Sequence, residues 1–387
     1  MVDFSTLVLL LVPYTFLLRV LAPAKPLFGF INVTVFFLFF FASKSHHQNE
    51  ASLAIAMIAL IAISLLCFKV VARKSRSAFL PISLITVGGL LIFKTQMTLP
   101  QTFGTTFFFC RLVFYALERS LKKESVTLAD FMIYAFSPLL FFVGPITSFQ
   151  RFTHPTAPTK VDSLTVQRLI LGFFKLVFVS QWLFNAGSDS LSHPDYSFRL
   201  IDMIFGHLVD IVFVYFYLSG LNDITISLGK FLGHQIDENF NKPFLATNIL
   251  EYWKRWHMTL SGFVRNAFYT PLSLYFSRKL SRRYRALMNL GLTALSFAFL
   301  GFLHFQNSLG LALGLFHLVG VMSCHFFGLA IRKIGIQEAL GKSWLYQAFS
   351  YSLTWFFISS SMIFFRVGSL NELKLLISHT RDVLLAY

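Results

Sequence analysis

Long apolar runs separated by short polar or basic loops recur along the whole chain. They fall at about residues 5–21, 27–42, 51–72, 79–93, 102–117 and 128–146, and again near 165–184, 200–220, 257–276, 286–305, 308–330 and 345–365. A straight helical crossing of a bilayer takes about 20 apolar residues, and only helices or closed barrels cross lipid with every backbone group bonded. The pattern predicts an all-α, polytopic transmembrane helical bundle. Several runs are short for a straight span, so about 10–12 spans are expected, with re-entrant or interfacial helices around a central site. No internal repeat and no Gly-, Ser- or Pro-rich linker interrupts the pattern, so one membrane-embedded domain over residues 1–387 is the simplest organisation. Within it we distinguish N-terminal spans over 1–95, a motif-bearing core over 96–367 and a C-terminal interfacial helix over 368–387, amphipathic from about residue 370. Met1-Val2-Asp3-Phe4 has no positive leader and no small-residue cleavage site after it, and reads as the start of a retained first span.

Composition sharpens this. The 387 residues are 56% hydrophobic and only 13% charged, against about 25% charged in soluble domains. The net charge of +16 comes from 33 Lys+Arg against 17 Asp+Glu. The basic residues lie mainly between apolar runs, as in Arg73-Lys74-Ser75-Arg76, Lys122-Lys123, Arg278-Lys279 and Arg282-Arg283. That placement fits cytoplasmic loops against anionic lipid, and argues against nucleic acid as a partner. Alternation puts the loops at Lys25, Arg73–Arg76 and Lys122-Lys123 inside, with the N-terminus and residues 43–50 outside. Arg151 and Lys160 break the alternation, and a re-entrant segment near Leu99-Pro100 repairs it. Cys67, Cys110 and Cys324 lie in apolar stretches without metal-ligand or redox spacing.

Charges inside apolar runs each cost about 2.5–3.5 kcal/mol or more at the bilayer centre. Lys94, Arg111, Lys175, Asp210 and Arg366 are therefore expected to pair internally or to reach an interface. Asp202, His207 and Asp210 share one run; they line a polar cavity wall or mark a solvated helix end. Residues 221–250 are too polar to face lipid and form either a surface loop or a re-entrant or amphipathic element folded against the site.

Two histidines stand apart. His304 lies deep in an apolar run, where a hydrogen-bonded structural histidine is the commoner case, yet a neutral imidazole there is the form that accepts a proton near neutral pH. His257 follows Glu251-Tyr252-Trp253-Lys254-Arg255-Trp256. A continuous helix puts Trp253, Trp256, His257, Leu260, Ser261 and Val264 near one face, with Lys254 and Arg255 toward headgroups. An aromatic belt explains the tryptophans without chemistry. His46, His47, His154, His193 and His379 fall in loops or ends. His317 and His325 are separated by roughly 80° around a helix and have no carboxylate or cysteine at ligand spacing, so no metal site is expected. There is no phosphate-cradling glycine loop and no Gly-x-Ser-x-Gly elbow.

Five stretches together resemble the membrane-bound O-acyltransferase family, in its bacterial cell-envelope branch. They are Leu99-Pro100 with the aromatics after it; Ser137-Pro138 with Gly144-Pro145-Ile146 and Arg151-Phe152; Asn222-Asp223 through Glu238-Asn239-Phe240-Asn241-Lys242-Pro243-Phe244-Leu245; Tyr252 to Ser261 with Arg265 and Pro271-Leu272; and Phe364-Phe365-Arg366. The likeness covers roughly residues 95–367. It implies a multi-pass protein of the bacterial cytoplasmic (inner) membrane. It implies His304 and His257 as catalytic residues, and Asn222, Asp223, Trp253, Trp256, Ser261 and Arg265 as residues that bind substrate or support the histidines. By the resemblance, an acyl group, acetyl or D-alanyl, passes from a cytosolic thioester to a hydroxyl. His304 acts as general base, and His257 positions substrate or stabilises the oxyanion. The donor, acetyl-CoA or an acyl carrier protein's phosphopantetheine, is a substrate, and no tightly bound cofactor is implied. Implied partners are that CoA or carrier protein, an exported acyltransferase, an envelope polysaccharide or teichoic acid, and the lipid bilayer. Leu303 stands where the family has tryptophan, Phe305 where it has glycine, and Asn266 where it has aspartate; these departures bear on donor size or turnover. The rival readings are a polytopic transporter, which would favour an internal repeat, and a non-catalytic membrane scaffold subunit.

Overall fold

The structure, a computed structural model, describes residues 4–21, 25–42, 50–72, 99–121, 126–140, 144–153, 162–189, 200–305 and 307–385. Every regular element among them is helical, as the apolar pattern demands. The N-terminal runs form α1 (Phe4–Leu21), α2 (Lys25–Ala42) and α3 (Glu50–Ala72), followed by α4 (Leu99–Leu121), α5 (Leu128–Ala135) and the short α6 (Phe149–Thr153). Next come α7 (Ser163–Phe173), running through a π-helical turn (Phe174–Val179) into α8 (Ser180–Asp189), and the long α9 (Leu200–Phe231). The remainder comprises α10 (Ile249–Arg255), α11 (Met258–Phe263), a second π-helical turn (Val264–Tyr269), α12 (Thr270–Lys279), α13 (Arg285–His304), α14 (Ser308–Ile334), α15 (Gln337–Lys342), α16 (Trp344–Ser360), α17 (Ile363–Arg366) and α18 (Leu370–Leu385).

Five stretches among the described residues are long and apolar enough to cross a membrane: Ser163–Ala186, Gly206–Phe231, Arg282–His304, Ser308–Ile334 and Trp344–Arg366. The protein is thus an all-α polytopic membrane protein. The expected run at 79–93, the basic loops at Arg73–Arg76 and Lys122-Lys123, and Lys94, His46, His47, His154 and His193 lie outside the described residues. The segment after residue 368 is helical, as its pattern suggested.

Helix ends follow local chemistry. Asp162 accepts the Thr165 N–H at 2.9 Å at the start of α7, and Asn307 accepts from Leu309 N and Gly310 N at the start of α14. At the end of α14, Gly335 takes the left-handed conformation (φ 79°) that a side chain disfavours.

The chain divides into two compact units, each discontinuous in sequence: residues 1–177 with 218–238, and residues 178–217 with 239–387. The first is built on phenylalanine and tyrosine. Phe36, Phe108, Phe131, Tyr134, Phe136 and Phe152 are all fully buried. Phe36 meets Phe136 edge-on at 5.2 Å, and Tyr115 lies 4.8 Å from Phe131. Backbones of α7 and α9 touch at Gly172 and Gly220, where a Cβ on either would come within 3 Å of the other's carbonyl oxygen. That crossing lets Asp223 receive Arg168 Nε at 2.8 Å and Lys175 Nζ at 2.7 Å, while Arg168 Nη2 also reaches Glu238 at 2.6 Å. Lys175 is therefore internally paired, as expected of a charge in an apolar run. Arg111 has no acidic partner among the described residues: its buried guanidinium donates to the Ala135 carbonyl at 3.1 Å, and Nε and Nη1 have no hydrogen-bond partner there.

The second unit is organised by the hairpin of α13 and α14. A Cβ at Gly301 would sit 1.9 Å from the Gly310 oxygen, and one at Gly314 would sit 2.3 Å from the Phe297 oxygen. Backbones this close are possible only where the side chain is a hydrogen. Asp210 and Arg366, both flagged by their apolar surroundings, form an ion pair in this unit. Gly314→Ala should cost about 1–3 kcal/mol through forced separation of the hairpin. Gly291→Ala, at an exposed site on α13 with nothing within 4 Å, should be neutral or stabilising by up to about 1 kcal/mol. Thermal unfolding of the two purified variants in detergent checks the contrast.

Candidate functional site

The second unit holds both singled-out histidines. The sequence suggested one helix through residues 253–264, but the structure breaks it. α10 ends at Arg255, Trp256 is extended, and His257 takes φ 45° and ψ 48° before α11 begins. A left-handed non-glycine residue costs on the order of 1–3 kcal/mol and persists only where its surroundings hold it. Asn239 does the holding. Its backbone carbonyl accepts Met258 N at 2.8 Å, and its Oδ1 accepts Thr259 N at 3.2 Å and Thr259 Oγ1 at 2.8 Å. The same Oδ1 lies 3.1 Å from His257 Nδ1.

This geometry selects a tautomer. The Thr259 N–H can only donate, so the Asn239 atom it meets is the oxygen. That oxygen can only accept, so His257 Nδ1 carries the proton and, in the neutral ring, Nε2 carries the lone pair. His304 obeys the same logic. It is the last residue of α13, and its Nδ1 lies 2.8 Å from the Leu300 carbonyl oxygen, one turn back. A carbonyl cannot donate, so His304 Nδ1–H donates and Nε2 again holds the lone pair.

His304 and His257 are close enough to feel each other's charge. Burial pushes the His257 imidazole down to about 3, and His304 acts in the same direction. His304 is half-buried, with the Phe365 ring edge-on at 5.8 Å. Phe365 is next to Arg366, which the ion pair to Asp210 anchors. The Phe364-Phe365-Arg366 stretch thus sets an aromatic wall beside His304. Leu303 is buried, and Phe305 packs on Phe365 at 5.1 Å and against the cluster formed by Leu309, Leu313, Phe364 and Leu373.

The other expected site residues divide. Trp253 and Ser261 are in this unit, and the Trp253 Nε1 and Ser261 Oγ are buried without a hydrogen-bond partner among the described residues. Trp256 is stacked on Tyr252 at 5.4 Å and meets Phe240 edge-on at 5.1 Å, within an aromatic cluster that includes Tyr215. Arg265 is exposed on the second π-helical turn. Lys254 is exposed, whereas Arg255 pairs with Glu251 at 2.6 Å. Asn222 and Asp223 belong to the first unit. Asp223 is occupied by Arg168 and Lys175, and the Asn222 Oδ1 is buried without a partner. In the second unit His207 is buried near Asp210; the Asp202 side chain lies outside the described residues. Residues 221–231 continue α9, so the polar segment begins later than its composition suggested. Sequence reasoning missed Asn239 as the residue that orients His257; its signal is an asparagine in a polar stretch 18 positions away. His317, weighed in the sequence only as a metal ligand, is buried in this unit against the Trp253 ring. Among the described residues no group of His, Cys, Asp or Glu is arranged to hold a metal ion.

A polytopic helical protein with two orientation-locked histidines in one unit is the class that fold and site define. The profile of the membrane-bound O-acyltransferase family matches residues 24–367, and the chain belongs to that family. It is similar to a probable alginate O-acetylase of Azotobacter vinelandii, 31% identical over 191 residues, covering 46% of this chain and 36% of that protein. It is similar also to a peptidoglycan O-acetyltransferase of Helicobacter pylori, 30% identical over 197 residues, 51% of this chain and 31% of that protein. A teichoic acid D-alanyltransferase of Streptococcus thermophilus is 23% identical over 267 residues, 65% of this chain and 64% of that protein. The match to the two acetyl-transferring relatives thus spans about a third of their length.

Acid should weaken the fold through its buried imidazoles. His257 is depressed to about 3, and His234, stacked on Phe152 in the first unit, is depressed to about 4 by burial. A depressed histidine binds its proton more tightly in the unfolded chain, so its contribution is fully present above the ordinary value of about 6.5 and is lost as the pH falls toward the folded value. The melting temperature should drop between about pH 7.5 and pH 5, and His257→Gln should show a smaller drop; an equal drop removes His257 from the titration.

Proposed function

We propose that the chain is a membrane O-acyltransferase that moves an acyl group, acetyl or D-alanyl, from a cytosolic thioester to a hydroxyl of a cell-envelope polymer or of an exported partner. The observation that carries this reading is the His304 Nδ1 hydrogen bond to the Leu300 carbonyl, which puts the basic lone pair on Nε2, beside a second histidine locked in the same tautomer. Family membership and relatives with acetylating and D-alanylating names support the reaction class.

In this mechanism the acceptor hydroxyl gives its proton to His304 Nε2 as its oxygen attacks the thioester carbonyl. The tetrahedral intermediate collapses with loss of the thiolate, which takes the proton back from Nε2. The products are an ester and a free thiol, and no enzyme-bound acyl group is required. His257 orients a reacting group through its own Nε2. The donor is acetyl-CoA or a carrier protein's phosphopantetheine, the acceptor an envelope polysaccharide, teichoic acid or exported acyltransferase, and the site of action the bacterial cytoplasmic membrane.

His304→Ala, at wild-type abundance in the membrane, should lower acylation of envelope polymers by about a hundredfold or more, the scale of a lost general base. Mass spectrometry of the polymers from cells carrying the variant reads the result. Undiminished acylation would overturn the assignment of His304 as the base.

A further inference from the structure

His317 lies on α14 and is buried, only 8% exposed. Its ring meets the Trp253 indole edge-on, with centroids 5.1 Å apart and planes at 81°. The rings of Phe316 and Phe357 enclose it further. In these surroundings neither His317 Nδ1 nor Trp253 Nε1 has a hydrogen-bond partner among the described residues. More than about nine in ten buried polar groups in folded proteins are bonded, and each unmade bond costs about 1–3 kcal/mol. The two unmade bonds lie on rings in contact, so one small group could satisfy both.

The chemistry of that group is constrained. An indole N–H only donates, so the group must present an acceptor. It is not a metal ion, because a donor-only indole cannot ligate one. His317 is within electrostatic range of His304, the proposed base. The reaction brings two oxygen atoms there. The acceptor hydroxyl needs its lone pair for attack, and donors directed at it would blunt the nucleophile. The thioester carbonyl oxygen gains negative charge as attack proceeds, and donors directed at it strengthen in the transition state.

We propose that His317 Nδ1–H and Trp253 Nε1–H bind the acyl carbonyl oxygen, which makes His317 a third histidine of the reaction centre; this rests on the acyl-transfer reading above. His257, held on Asn239, is then left to the acceptor side.

The test uses the purified full chain in lipid nanodiscs and two probes. One is S-acetyl-phosphopantetheine, which carries the thiol arm common to coenzyme A and carrier proteins. The other is its S-ethyl thioether, which lacks only the carbonyl oxygen. Calorimetric titration of the wild type should show about tenfold tighter binding of the acetyl probe, the scale of one or two hydrogen bonds. His317→Phe should bind the thioether as the wild type does and lose the preference. His317→Gln, whose amide can donate, should recover part of it. His304→Ala should keep the preference while losing transfer, and normal transfer in that variant would sink the base assignment alone. The carbonyl site is overturned if the wild type binds both probes equally or neither, or if His317→Phe retains the preference. Loss of both probes in His317→Phe and His317→Gln together marks a packing residue and overturns it too.

Discussion

A polar group buried in an apolar membrane protein must find its partner within the chain or in a ligand. The carboxamide oxygen of Asn239 is where this constraint acts most visibly. It collects the Thr259 N–H, the Thr259 hydroxyl and His257 Nδ1. In doing so it stabilises the left-handed break between α10 and α11 and decides which nitrogen of His257 carries the proton. Without it, the local sequence would run on as helix and turn the imidazole elsewhere. The Leu300 carbonyl does the same for His304 with one bond.

The frame around these bonds is made by contacts that leave no room for choice. The α13–α14 hairpin closes on Gly301, Gly310 and Gly314, and this puts His304 at the end of a helix whose last turn is pressed against its neighbour. Charges that would be costly in lipid are consumed as ties between distant segments. Asp210 with Arg366 fixes the aromatic wall beside His304, and Arg168 with Lys175 fixes Asp223 in the first unit. Such pairs are weak as net stabilisers, but breaking one leaves a buried charge unmatched, so they enforce one arrangement strongly.

Not every buried polar atom is satisfied, and the exceptions carry information. Trp253 Nε1, Ser261 Oγ and His317 Nδ1 share the unit that holds the histidine pair. Family members with different named acceptors, alginate, peptidoglycan or teichoic acid, match this chain over different lengths.

Much of the architecture was legible in the one-dimensional pattern. Apolar runs near the length of a bilayer span specify helices, because lipid offers the backbone no other partner; α13, α14 and α16 fall almost where their runs do. The pairing of Lys175, Asp210 and Arg366 was foreseeable from cost alone, though not their partners. Glu251-Tyr252-Trp253 through His257 and the apolar setting of His304 identified the candidate histidines, and family likeness joined them. The sequence could not show the break at His257, the role of Asn239 or the His257 tautomer, because each depends on Asn239 meeting residues about 20 positions away; the His304 tautomer depends on a side-chain rotamer that the pattern does not specify. Nor could it show that Trp256 is part of an aromatic cluster while Trp253 faces His317. Two tryptophans three positions apart look alike in a pattern; only packing decides which ring joins the Tyr252 and Phe240 cluster and which meets His317.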